Sequence, residues 1–249
     1  MDYHSDSILI AGSCWIANQL IEALLLSYRD QLKHDFNGLL PQKRPKHLGV
    51  VLPQGSPLPF NEAVRKGIVD DIANLASWSI RSDIWTLTIY NSQEIPTDAH
   101  CEILSCINSK LQSLEKPPRV TLSTSRSSLA RQEPASEQNR CLQLRLLDQS
   151  DGRSAITNLA DSLKEQKEQN LISDEALTTE IIADRLNALY GSAPDLIIVF
   201  GSYTQLHGYP PWQLRYAEIK TFSANPELRC LHFVQALHQF AKVEMRHGK

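Results

Sequence analysis

Short runs of apolar residues alternate along this chain with longer stretches in which apolar residues recur every three or four positions. The short runs have the length and the branched or aromatic content of β-strands, and they lie at 48–52, 84–90, 120–122, 141–147 and 196–200. The longer stretches predict amphipathic helices, the first with Asn61 as its N-cap, at 61–75, 99–114, 154–168, 174–190 and 231–246. Strands that alternate with such helices predict an α/β fold, with a mostly parallel central sheet covered by helices on both faces.

The first 40 residues stand apart from this alternation. Residues 8–26 are mostly apolar, but polar side chains between positions 18 and 22 interrupt them, whereas a spanning helix takes about 20 predominantly apolar residues. A helix that lies on a membrane or packs on protein needs only one apolar face, and Trp15 suits such an interface. Residues 1–40 are therefore predicted to form a membrane-associated or partner-packing helical segment, and whether it spans the membrane, lies on it or packs on protein stays open.

Residues 41–249 are predicted to form one further domain. The domain begins with a linker, Pro41–Lys46, which holds two prolines and a cluster of basic residues. Near 123–139 the chain contains Ser, Arg, Gln, Glu and Pro and almost no large apolar side chain, which predicts a mobile loop within the domain.

Composition narrows the classes of function. The net charge of -3 and the scattered basic residues argue against a nucleic-acid partner, because phosphate-backbone binding needs a surplus of Lys and Arg. The five cysteines are an odd set with no Cys-x-x-Cys pair, so neither a disulfide framework nor a zinc site is indicated. A reducing, cytosol-facing environment fits this cysteine usage.

Two stretches in the last quarter of the chain resemble the C-terminal signature of the cis-prenyltransferases, the undecaprenyl diphosphate synthase-like family. They are Pro-Asp-Leu-Ile-Ile-Val-Phe-Gly at 194–201 and Gly-Tyr-Pro-Pro-Trp-Gln-Leu-Arg-Tyr-Ala-Glu-Ile at 208–219. Segments 45–52 and 83–90 are similar to the first two strands of that family, and Asp151-Gly152-Arg153 is similar to its Gly-Gly-Arg turn. The resemblance runs from about Lys46 to the C-terminus and implies a cis-prenyltransferase-like fold.

This chain departs from the family pattern where the chemistry of the family lies. The resemblance implies that an Asp after the first strand organises Mg²⁺ and the allylic diphosphate, but Pro53 stands there, with neither a carboxylate nor a backbone N–H. Two arginines that grip isopentenyl diphosphate in the family correspond to Val199 and Gln205. Glu218 matches a carboxylate associated with the metal in the family. The chain is therefore predicted to have a degenerate site of its own, with no catalytic residue and no metal.

The C-terminus carries a second signal. The chain ends Arg246-His247-Gly248-Lys249, an Arg-x-Gly ending that resembles the tail of non-catalytic accessory subunits of the Nogo-B receptor type. The resemblance implies that this tail crosses the dimer interface and binds substrate diphosphate in the active site of the partner. Arg246 could form bidentate bonds there, and Gly248 would let the backbone approach closely. Taken from the residues alone, the same ending also fits a solvated helix end.

Pro211 and Trp212 form an apolar pair within the signature. Trp is enriched at the centres of protein interfaces, so the pair is a candidate dimer contact. A large apolar ring is equally at home in a core, and from sequence both interpretations stay open.

The resemblance implies an accessory subunit of the dehydrodolichyl diphosphate synthase complex, at the cytosolic face of the endoplasmic reticulum membrane. That complex elongates farnesyl diphosphate with isopentenyl diphosphate to the long-chain cis-polyprenyl diphosphate used for dolichol synthesis and protein glycosylation, and Mg²⁺ would be bound in the catalytic partner. One alternative is a self-sufficient cis-prenyltransferase, against which Pro53, Val199 and Gln205 count. The other is a binding protein that reuses the fold, against which the Arg-x-Gly ending counts.

Overall fold

A computed structural model describes residues 39–53, 62–125, 140–173, 177–201, 205–222 and 228–244. Within these ranges the chain forms six strands and five α-helices, in the order β1 (His47–Val51), α1 (Glu62–Arg81), β2 (Thr86–Tyr90), α2 (Thr97–Leu111), β3 (Arg119–Thr124), β4 (Cys141–Leu147), α3 (Arg153–Glu168), α4 (Thr179–Tyr190), β5 (Leu196–Phe200), β6 (Glu218–Phe222) and α5 (Cys230–Lys242). Short 3₁₀ helices occupy Gln149–Asp151 and Pro211–Leu214.

The six strands form one sheet in the order β3-β4-β2-β1-β5-β6. Every neighbouring pair in this sheet is parallel, so the predicted parallel sheet is confirmed. In the centre, Val51 of β1 lies opposite Tyr90 of β2 on one side and Val199 of β5 on the other. The carboxyl ends of all six strands therefore meet at one edge of the sheet, which is where ligands bind in open α/β sheets.

Both faces of the sheet are apolar. Apolar residues occupy consecutive positions in the central strands, and alternate residues of a strand point to opposite sides of the sheet. On the first face, Leu48, Val50 and Leu87 belong to a core that includes residues of α1, α2 and α5. On the second face, Ile197 and Val199 pack with residues of α3 and α4. The predicted covering of the sheet by helices on both faces is confirmed. A strand buried on both faces is continuously apolar, as 196–200 is.

The elements differ from the sequence-based expectations mainly at their ends. The fourth predicted helix begins at Thr179 rather than at 174, because the Thr178 hydroxyl accepts a hydrogen bond from the Ile181 N–H at 3.5 Å and caps it. The last helix ends at Lys242, since Val243 is extended. Strand β6 was not predicted. Its residues are all half-buried, as befits an edge strand, and lack the apolar run that marks the central strands.

Three of the predicted features lie outside the described residues. They are the N-terminal segment up to residue 38, the cap Asn61 and most of the loop predicted at 123–139. Among the described helices, none combines the length and the apolar character that crossing a membrane requires.

Candidate functional site

The sequence predicts that three positions lack the diphosphate-binding groups that the family resemblance implies, and the described residues at these positions form no anion site. Val199 is fully buried, with 0% of its surface exposed, and packs in the apolar core of the second face. Pro53 is half-buried just beyond the end of β1, and Gln205 is exposed on the loop after β5. The position of Val199 is therefore sealed from solvent, and neither Val199 nor Pro53 offers a polar side-chain group to a diphosphate.

The loop after β5 is anchored to the end of β2. The Tyr90 hydroxyl donates a hydrogen bond to the His207 carbonyl oxygen at 2.6 Å, and the Tyr209 N–H donates to the Leu206 oxygen at 2.8 Å. His207 and Gly208 both have left-handed backbones, with φ of 49° and 92°. Glycine adopts this conformation without steric cost, so Gly208 allows the tight turn that brings the loop back over the sheet.

Two of the segments that carry the family resemblance, the turn at 151–153 and the stretch 208–219, touch each other. The turn before α3 is closed by a capping box, in which the Ser150 N–H donates to Asp148 Oδ1 at 2.7 Å and the Asp148 N–H donates to Asp151 Oδ2 at 2.8 Å. This turn places Gly152 so close to the loop after β5 that a Cβ atom added to Gly152 would lie 2.4 Å from the Gly208 carbonyl oxygen. Gly152 is therefore a packing residue between the two segments.

Negative charge surrounds the described carboxyl edge of the sheet near β4. Burial, followed by the nearby carboxylates of Asp148 and Asp151, raises the pKa of Tyr90 to about 12 and that of Tyr190 also to about 12. A cavity of about 340 Å³ opens beside this turn, and its lining includes Glu94, Asp148 and Asp151 but no Lys or Arg from the described part of the chain. This electrostatic environment disfavours a bound diphosphate, which requires cationic partners.

The signature residues around position 212 serve the scaffold. The Gln213 side chain is buried and donates from Nε2 to the Gly191 carbonyl oxygen at 3.0 Å, which ties the second 3₁₀ helix to the end of α4. Trp212 is half-buried against the core of the second face, whereas Pro211 is exposed. Of the two residues predicted as a dimer contact, Pro211 is thus more exposed than Trp212, and Trp212 contributes to the core.

The carboxylate of Glu218 is already paired. Its Oε1 lies 2.6 Å from Lys220 Nζ, and both side chains are partly buried on β6. Among the residues that the structure describes, no three His, Cys, Asp or Glu side chains cluster so as to hold a metal ion. Because Pro53 has no side-chain oxygen and the Glu218 carboxylate is paired with Lys220, these residues do not fit the Mg²⁺ site that the family resemblance implies.

The tail residues Arg246, His247 and Gly248 lie outside the described residues, which end at Glu244. Sequence reasoning also missed two contacts that build the site. The Asp-x-x-Asp spacing of Asp148 and Asp151 is a capping-box signal that could have located the turn before Gly152. No local sequence pattern predicts the hydrogen bond from Tyr90 to His207, because 117 residues separate them in the chain.

Replacing Tyr90 with phenylalanine should lower the free energy of unfolding by about 1 kcal/mol, because a typical hydrogen bond contributes roughly 0.5–1.5 kcal/mol. Tyr209 is the matched control, since the two rings are in edge contact with centroids 5.5 Å apart. The buried Tyr209 hydroxyl has no hydrogen-bond partner among the described residues, so Tyr209→Phe should leave stability unchanged or raise it. Urea denaturation measures both changes, and equal losses would contradict the anchoring by Tyr90.

Comparison with known proteins places these features in a family. The family model described as "Putative undecaprenyl diphosphate synthase" matches residues 108–248. The dehydrodolichyl diphosphate synthase complex subunit nus1 of Schizosaccharomyces pombe is 28% identical over 238 residues, which cover 94% of this chain and 88% of the relative. The NUS1 subunit of Homo sapiens is 26% identical over 212 residues, which cover 84% of this chain and 68% of the relative.

A solved structure shares the fold. Lavandulyl diphosphate synthase from Lavandula x intermedia, crystallised in complex with dimethylallyl diphosphate, matches with a TM-score of 0.57 over 83% of this chain and 99% of that chain. The sequence identity is 16%, so the likeness concerns the fold. The parallel sheet and its helical layers are therefore shared with that diphosphate synthase.

Proposed function

This chain belongs to the undecaprenyl diphosphate synthase family, the cis-prenyltransferases, and from that premise we propose that it is the non-catalytic accessory subunit of a dehydrodolichyl diphosphate synthase complex. In this proposal a catalytic cis-prenyltransferase subunit elongates farnesyl diphosphate with isopentenyl diphosphate. The present chain stabilises that partner and contributes its C-terminal tail to the active site of the partner. The similar proteins of Schizosaccharomyces pombe and Homo sapiens are named as subunits of such a complex, which supports this assignment.

The observation that carries the proposal is the complete burial of Val199. The family resemblance places an arginine there, yet in this chain the side chain packs in an apolar core with no exposed surface. A guanidinium confined at such a position would lose its hydration without gaining a partner. Together with Pro53 and the acidic groups near β4, this favours a chain that keeps the fold of the family without its own diphosphate site.

The tail supplies the chemistry that the degenerate site lacks. Arg246 has a planar guanidinium that can donate two parallel hydrogen bonds to one diphosphate, and these charge-assisted bonds are among the strongest in proteins. Gly248 has no side chain to hold the backbone away from the ligand. Both groups orient isopentenyl diphosphate in the site of the partner, so that its double bond meets the allylic carbon of the growing chain.

The catalytic partner holds the Mg²⁺ ion, which neutralises the departing diphosphate when bound. The complex works at the cytosolic face of the endoplasmic reticulum membrane, with residues 1–40 as the membrane-associated or partner-packing segment. Its long-chain product serves dolichol synthesis and protein glycosylation. The acidic pI near 6.2 is consistent with the absence of a nucleic-acid partner.

The purified chain alone should not elongate farnesyl diphosphate, whereas the pair with an active homologue from the same cell should. Pro53→Asp should not restore activity to the isolated chain, because Val199 and Gln205 would still leave the second diphosphate without a guanidinium. Co-purification followed by an elongation assay on each subunit and on the pair tests both statements. Mg²⁺-dependent turnover by a preparation free of partner would overturn the proposal.

A further inference from the structure

The segment predicted as a linker lies against the fold, and its contacts reach the end of the last helix. We call residues 39–46 the linker strap. At its start, His238 Nε2 on α5 donates a hydrogen bond to the Leu39 carbonyl oxygen at 2.6 Å. Beside this contact, Leu40 packs against the core of the first face. The strap therefore runs along α5 before the chain enters β1.

Lys43 holds the final turn of α5. Its Nζ donates a hydrogen bond to the Val243 carbonyl oxygen and lies 5.2 Å from the centroid of the Phe240 ring. The carbonyl groups at a helix C-terminus have no partners within the helix and carry partial negative charge, so a cation is stabilising there. The ring of Phe240 adds a cation–π attraction to the same ammonium group.

The other end of the strap is fixed to the body of the domain. Arg44 Nη1 lies 2.6 Å from Asp83 Oδ2 and 3.2 Å from the Ser82 carbonyl oxygen, in the turn after α1. The backbone N–H groups of Lys46 and His47 both donate to Asp195 Oδ2, at 2.7 and 3.0 Å. Lys43 is thus a link between firmly held backbone and the end of α5.

We propose that the linker strap positions the C-terminal tail, with Lys43 as the positioning residue. This inference rests on the proposed function of the tail. Arg246 follows Val243 by three residues in the sequence, and three residues of chain reach at most roughly 11 Å. A displacement of about 1 Å in a substrate-positioning group can cost as much as a hundredfold in rate. The place at which Lys43 holds Val243 therefore limits where Arg246 can meet a diphosphate.

The contact itself can be tested on the full chain without its partner. Lys43→Ala should speed amide hydrogen exchange at Val243 about two- to fivefold, as expected from the loss of a cation at a helix C-terminus. Lys46→Ala is the matched control, because it removes the same charge from an exposed side chain of the same strap. Unchanged exchange in Lys43→Ala, or equal changes in both variants, would overturn the inference.

The positioning role can be tested in the assembled complex. Lys43→Ala should lower kcat/KM for isopentenyl diphosphate about three- to tenfold, because the tail would be oriented less well. The subunits should stay associated. Lys43→Arg should restore kcat/KM, and Lys46→Ala should match wild type. In an Arg246→Ala background, Lys43→Ala should add no further loss, because both changes act on the same contact.

Each of the other outcomes contradicts the proposed positioning role of the linker strap. Multiplying losses in the double variant would show that Lys43 acts elsewhere, and dissociation of the complex by Lys43→Ala would make it an interface residue. If Arg246→Ala lowers activity while Lys43→Ala does not, the strap inference is wrong and the proposed function stands. If Arg246→Ala is itself silent, the proposed function of the tail is wrong, and the positioning role of the strap is wrong with it.

Discussion

Replacing Arg246 with alanine should lower kcat/KM for isopentenyl diphosphate in the assembled complex about ten- to a hundredfold. A hydrogen bond to a charged group contributes about 1.5–3 kcal/mol, and each 1.36 kcal/mol corresponds to roughly a factor of ten in rate. The subunits should stay associated, because Arg246 is proposed to contact diphosphate rather than to hold the interface. Steady-state elongation at subsaturating isopentenyl diphosphate, together with size-exclusion chromatography of the complex, measures both quantities.

Lys242→Ala is the control for net charge. Lys242 is the exposed last residue of α5 and lies four residues before Arg246 in the sequence. Lys242→Ala should leave kcat/KM nearly unchanged. Gly248→Val should act like Arg246→Ala, since a branched side chain would hold the backbone away from the ligand. Wild-type elongation by Arg246→Ala would contradict the proposed diphosphate contact, and separation of the subunits would make Arg246 an interface residue.

Gly152→Ala should lower the free energy of unfolding by about 3 kcal/mol, at the upper end of the range for overpacking. The added Cβ would lie 2.4 Å from the Gly208 carbonyl oxygen, which is backbone and is held in place by the bond from Tyr90 to the adjacent His207. A shift of either segment would strain the capping box of Asp148 and Asp151 or the hydrogen bond from Tyr90 to His207. For a domain of this size the melting temperature should fall by roughly 6–12 °C, as measured by thermal unfolding.

Gly67→Ala is the matched control for Gly152→Ala, and it should change the stability in the opposite direction. Gly67 is exposed on α1, and a Cβ added there would meet no atom within 4 Å. Because glycine inside a helix is less favourable than alanine by roughly 0.5–1 kcal/mol, Gly67→Ala should raise the melting temperature slightly. Equal behaviour of the two variants would mean that Gly152 is not packed against Gly208 as described.

The contact between Gly152 and Gly208 gives part of the family pattern a structural role. Gln213 and Gly152 hold the loop after β5 and the turn before α3 in place. These roles are structural, and they are independent of diphosphate binding. The residues that differ from the family pattern, Pro53 and Val199, lie at the ends of the strands where only ligand contacts would require a charged group.

Local sequence patterns predicted the type and order of the central elements and the fold class. Apolar periodicity is a local property, so it located five strands and five helices to within a few residues at most ends. The resemblance to the family pattern, which also needs only the sequence, implies that Pro53 and Gln205 stand where a carboxylate and a guanidinium would be expected. The proposal for Arg246 likewise rests on sequence, since the described residues end at Glu244.

Features that join residues distant in the chain became apparent only in the folded protein. The strand order β3-β4-β2-β1-β5-β6 and the half-buried edge strand β6 follow from pairing through space, which local periodicity does not encode. The complete burial of Val199, the contact between Gly152 and Gly208, and the docking of Lys43 on the end of α5 each join segments far apart in sequence. Such contacts form because parallel strands need long crossovers, and these bring distant turns to the same edge of the sheet.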